Sequence, residues 1–166
     1  MLQLFLIFIA AALGGGTGDA DAPAAEAVAP AAPVTAQASP LEAEPQVPSG
    51  KFTTAVEVKP ILNMTRGNWV AVREFDGQDL LYVTHLMSWR CGLVQLRFGV
   101  NGNPLQVWPL PACHEDTAAP NALTPEDGLP YERFALGSVQ KVEIELTYDD
   151  LTIESAKFER KAILMP

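Results

Sequence analysis

The chain has 166 residues, a formal net charge of −9 and 48% hydrophobic residues, enough for one domain with a tail and a buried core. The acidic balance argues against nucleic acid and against an anionic membrane surface, because both select a basic face. No apolar run reaches the ~18 residues of a spanning helix, and two Cys are too few for a zinc site built mainly from thiolates.

Residues 1–22 read as a secretory signal. Leu4–Leu13 is apolar, small residues follow from Gly14 to Gly18, and Ala20-Asp21-Ala22 fits the A-x-A cleavage pattern. The segment Met1-Leu2-Gln3 carries no Lys or Arg, and a cut after Ala22 would leave Pro23 first. Cuts after Gly18 or Ala20 are therefore alternatives. Left uncleaved, the apolar segment would be a marginal anchor. No Cys follows it, which argues against a bacterial lipid anchor.

Residues 23–50 read as a disordered Ala/Pro-rich tether. Over 19–50 there are 11 Ala and 6 Pro but no Lys, Arg or aromatic residue. Proline at that density breaks a helix, and so little bulky apolar surface cannot offset the ordering entropy. The stretch also holds five acids, Asp19, Asp21, Glu26, Glu42 and Glu44. Residues 51–166 keep 15 acids against 11 bases and are only mildly acidic.

That remainder reads as the folded domain, mostly strands and turns. Phe52–Val58 is the first strand expected, with Pro60 ending it or marking an edge. Asn68–Phe75 and Gln78–Trp89 flank Asp76-Gly77, a dipeptide suited to a type I′ hairpin turn. Both parities of Leu80–Met87 are apolar, so the second strand is expected to be central; a helix over 79–89 is the rival reading. Leu93–Val100 and Leu105–Leu110 are strands around the turn cluster Asn101-Gly102-Asn103-Pro104. Ala112–Pro130 is a long polar loop in which Thr124, ahead of Pro125, can cap one helical turn.

Tyr131–Leu136 is a further short strand. Lys141–Tyr148 alternates strictly, with Val142, Ile144, Leu146 and Tyr148 on one face. Asp149-Asp150 turns the chain into Thr152–Phe158, and Leu151 falls where a bulged type I turn needs φ > 0. About seven or eight short strands predict an antiparallel β-sandwich, immunoglobulin-like.

Cys91 and Cys113 follow the export signal, so one structural disulfide is expected. The competing chemistry is a metal or thiol centre at Cys113-His114-Glu115-Asp116, with His85 and Cys91 as neighbours. Its spacing matches no zinc signature, and no G-x-S-x-G accompanies Ser88 or Ser138. Asp149/Asp150 and Glu115/Asp116 lack the spacing of a calcium loop, and no phosphate loop or other cofactor pattern is present. Asn63-Met64-Thr65 is a glycosylation acceptor only on a eukaryotic secretory route. Trp69, Trp89 and Trp108 sit in strand patterns and suit the core, Trp108 being the best candidate for a surface role. Arg90, His114, Glu115 and Asp116 join Trp108 as a candidate binding surface at the end carrying the long loop.

The motifs Trp89-Arg90-Cys91-Gly92-Leu93, Gly99-Val100-Asn101-Gly102, Pro111-Ala112-Cys113, Leu146-Thr147-Tyr148-Asp149-Asp150 and Phe158-Glu159-Arg160 resemble a group of small exported bacterial proteins of unknown function. The resemblance covers residues 66–166. It implies a bacterial envelope setting and no catalytic residue. The function expected is a non-catalytic periplasmic or secreted module that binds a protein or an envelope polymer, without cofactor, nucleic acid or, once the signal is cut, a transmembrane span. The alternative is a metal- or thiol-dependent envelope enzyme at Cys113–Asp116.

Overall fold

A computed structural model describes residues 41–166. The signal expected at 1–22, and the tether as far as residue 40, lie outside the described residues. The tether's last ten residues are not free. Glu44 N–H donates to the Asp149 carbonyl, and the Gln46 amide donates to Asp149 Oδ1 at 2.8 Å. Glu57 then accepts the N–H groups of Ser49 and Gly50 at 3.0 and 2.6 Å.

Where Phe52–Val58 was expected as a strand, the chain forms helix α1 (Ala55–Met64), with Pro60 inside it. Ala55, Val58 and Leu62 recur at helical spacing and are buried together. Asp149 Oδ1 accepts the Ala55 N–H at 2.8 Å, which satisfies a donor the first turn leaves open. Glu57, in that same turn, has its carboxyl lowered: burial acts to raise it, and the N–H groups of Gly50, Thr53 and Ser49 outweigh that. Pro60 is exposed, so the acceptor it leaves without a donor faces water.

Seven strands then form two antiparallel sheets. The first has three strands, β1 (Ala71–Phe75), β2 (Gln78–Tyr82) and β5 (Tyr131–Ala135), in the order β1-β2-β5. The second has four, β3 (Leu93–Val100), β4 (Gln106–Trp108), β6 (Lys141–Tyr148) and β7 (Ile153–Glu159), in the order β4-β3-β6-β7. Asp76 and Gly77, both at positive φ, close the β1–β2 hairpin as its sequence requires. Leu151 carries φ 63 at the β6–β7 turn, a left-handed position normally left to glycine.

The long strand expected over 78–89 stops at Tyr82. Val83 donates to the Pro130 carbonyl at 2.9 Å and leaves the extended region at ψ 22, after which α2 (Thr84–Met87) begins. A helical turn puts the adjacent Leu86 and Met87 into the core together, which one face of a strand cannot do. The rival helix is right for these four residues alone. β2 is nevertheless central, with Leu80 and Leu81 of opposite parity both buried.

One core joins the sheets. Val72 and Leu81 from the first meet Leu96, Phe98, Val142, Ile144 and Leu146 from the second, with Val58, Leu62 and Trp69 closing one end. Each such side chain contributes about 1.5–3 kcal/mol by burial. Trp69 also donates its indole N–H to the Leu62 carbonyl at 2.9 Å. The short α3 (Arg160–Ile163) returns the chain to β1, where Met165 N–H donates to the Val72 carbonyl at 2.8 Å.

Candidate functional site

The end marked by the sequence is built around a disulfide. Cys91 and Cys113 are bonded, with Cα atoms 5.0 Å apart. Both thiols are therefore consumed. Trp108, chosen as a surface residue, is 3% exposed and packs edge-on against Phe98 at 5.2 Å. Its place on β4 opposite Leu96 turns it inward, and Val107 is the exposed neighbour.

Arg90 is not at the surface either. It is 2% exposed, and its guanidinium donates to the carbonyls of Met87, Ala112, Asn121 and Ala122, with the Asp127 carboxylate at 3.4 Å. A buried cation needs such a set, because an unpaired one would be driven out into water. Asp127 also accepts the Thr124 N–H at 2.7 Å and lies 3.0 Å from His114 Nε2. The Thr124 N–H first, then the His114 hydrogen bond and the charge of Arg90, hold the Asp127 carboxyl low against its burial. The helical turn expected after Thr124 is present at Pro125–Asp127. Together these bonds latch residues 112–127 onto the fold.

His114 is half-buried against Asp127, while Glu115 and Asp116 are exposed. His85 lies on α2, where its Nε2 meets the Thr65 hydroxyl at 2.7 Å and burial lowers its pKa. Among the described residues no three His, Cys, Asp or Glu side chains are placed to hold a metal ion.

The first sheet behaves differently. Its register sets Ala71, Tyr82 and Tyr131 in one cross-strand row, Arg73, Leu80 and Arg133 in the next, and Phe75, Gln78 and Ala135 in the third. These residues share the outer face. All three acids of the sheet, Glu74, Asp79 and Glu132, have the opposite parity. Asp79 is fully buried and takes two hydrogen bonds from Arg160, at 2.7 and 3.0 Å, plus the N–H groups of Gly137 and Val139. Burial acts to raise the Asp79 carboxyl, and Arg160 with those two amides outweighs it and lowers it. Arg160 also pairs with Glu74.

The outer face thus keeps its cations and none of its anions. Arg73 and Arg133 are exposed, and among the described residues neither has a carboxylate within ion-pair distance. Each lies over an aromatic ring two residues away, Arg73 over Phe75 at 5.1 Å and Arg133 over Tyr131 at 5.5 Å. Leu80 between them is 4% exposed although it shares their face. Tyr82 and Tyr131 pack at 5.0 Å beside that row.

A cleft of about 540 Å³ opens at the tyrosine end of this face, lined by Asn68, Arg73, Tyr82, Thr84, His85 and Ser88 among others. A second cleft of about 560 Å³ adjoins it at Ser88, between Phe52, Trp89 and residues 118–123. Phe52 meets Trp89 edge-on at 5.4 Å and carries φ 59, a strained backbone for an aromatic residue. The sequence reading did not mark the outer face. Its signal was present in the i, i+2 pairs Arg73/Phe75 and Tyr131/Arg133 and in the opposite parity of Glu74 and Glu132. No protein-family model, curated protein or solved structure matches this chain.

Proposed function

We propose that the chain is an exported, non-catalytic binding domain of a bacterial envelope, periplasmic or secreted, that holds an envelope polymer or protein on the outer face of its three-stranded sheet. One observation carries this: in a chain of charge −9, that face segregates two arginines without acidic partners, among the described residues, beside an aromatic row. Internal needs account for Arg90 and Arg160, whose donors are used inside the fold. Arg73 makes no side-chain hydrogen bond to a described residue, and Arg133 makes two exposed ones, to Gln78 Oε1 at 3.1 Å and to the Tyr131 hydroxyl at 3.3 Å, with no anion beside either. An exposed cation–aromatic cluster of this kind favours recognition over folding.

Export is supported by the apolar Leu4–Leu13 segment, the Ala20-Asp21-Ala22 pattern and the Cys91–Cys113 bond. The likeness to small exported bacterial proteins points the same way, and we place the chain with them. We read the paired sheets as an immunoglobulin-like sandwich. The order β1-β2-β5 against β4-β3-β6-β7 differs from the constant-type arrangement only in setting the fourth strand beside the third.

Photo-crosslinking in the native envelope tests the reading, with the probe at Phe75 or Ala135 on the outer face and at Glu115 on the latched loop. Crosslinks to an envelope component from the first two positions and none from the third are expected. The reverse pattern, or a cytoplasmic chain of unprocessed mass, would overturn the reading.

A further inference from the structure

Resting on that reading, we infer that the ligand is a carboxylated glycan of the envelope, its carboxylates held by Arg73 and Arg133 and a sugar ring stacked on Tyr82. Arg73 and Arg133 flank Leu80 from the two neighbouring strands, so their backbones stand two strand spacings apart, roughly 10 Å. The tyrosine row lies two residues along the same strands, roughly 7 Å away. Two cations beside an aromatic ring match a stiff chain that repeats a carboxylate and an apolar ring face. Guanidinium groups bind carboxylates through paired N–H donors, and stacking on the ring beneath each one limits its freedom before binding.

The adjoining cleft continues the match. Asn68, Thr84 and the Tyr82 hydroxyl make no side-chain hydrogen bond to another described residue, and Ser88 donates to Thr84 yet keeps its lone pairs. Neutral groups that both donate and accept suit sugar hydroxyls. An acidic peptide fits less well. A peptide needs backbone partners, and the outer face of a sheet offers none because its N–H and C=O groups are used in the ladder. At the β1 edge the Val72 carbonyl is already taken by the Met165 N–H.

The test is calorimetric titration of the full chain with oligogalacturonate, with a maltooligosaccharide of equal length and with poly-L-glutamate. Oligogalacturonate is expected to bind at least tenfold more tightly than either control and to weaken as salt rises. Arg73→Gln with Arg133→Gln should weaken it about tenfold or more, and Tyr82→Ala several-fold, with the circular dichroism spectrum unchanged. Equal binding of poly-L-glutamate would overturn the glycan in favour of an acidic peptide. Equal binding of the neutral sugar, or binding indifferent to the double arginine change, would overturn the arginine clamp. If no oligosaccharide binds while crosslinks still map to Phe75 and Ala135, the ligand class fails and the binding-module reading stands; if those crosslinks are also lost, both fail.

Discussion

The disulfide end and the outer face of the first sheet treat positive charge in opposite ways. Around the disulfide, Arg90 is buried and its donors are taken up by four carbonyls and Asp127. On the outer face of the first sheet, Arg73 and Arg133 stay exposed, while Glu74 and Asp79 pair with Arg160. A cation with every donor used is a structural part. A cation set among aromatic rings without an anion is available to something outside the chain.

The largest effect should come from the latch. Arg90→Ala strips donors from four carbonyls at once and is expected to cost upwards of about 4 kcal/mol. Urea titration measures it. A loss under about 1 kcal/mol would mean that the latch is ornamental and the contrast with the outer face is false. Next comes the disulfide, which closes a loop across a sequence separation of 22. Replacing both cysteines with serine should cost about 3 kcal/mol, roughly 10 °C in Tm, while ligand affinity at the outer face stays as it was.

Acid should destabilise the fold through its paired carboxylates. Asp79 and Asp127 both have carboxyls lowered in the folded chain. Their stabilisation is fully present above the ordinary carboxylate value of about 4 and is lost as pH falls through the lowered folded values. Thermal unfolding at stepped pH should therefore show a flat Tm down to about pH 5 and a fall below it. Asp79→Asn should flatten that fall. A Tm that drops between pH 8 and 6 would point to the histidines instead.

Much of the sheet structure was legible because local rules and packing agree there. Strict alternation placed β6, Asp76-Gly77 placed the first hairpin, and Leu151 was marked as an awkward turn residue, which its φ of 63 matches. Helix α1 was missed although Thr54 and Glu57 have the spacing of a capping box ahead of Ala55, Val58 and Leu62. Pro60 was read as ending a strand or marking an edge, and the helix's first turn is met by Asp149, far along the chain, which accepts the Ala55 N–H. Distance in sequence also hid the site. That Arg90 is spent internally depends on carbonyls at 112, 121 and 122, while the Arg73–Arg133 row depends on a register between β2 and β5, which residues 83–130 separate in sequence.

The most direct measurement is thermal unfolding of the chain carrying both Arg73→Gln and Arg133→Gln, beside the unchanged protein. The double variant loses only the ring contacts and two exposed hydrogen bonds, from Arg133 to Gln78 Oε1 and to the Tyr131 hydroxyl, and should keep its Tm within about 2 °C, equivalent to a surface change of ±0.5 kcal/mol. A fall of 10 °C or more would show that the two arginines hold the sheet together, and the outer face would then be structure, with nothing left to single it out for a ligand.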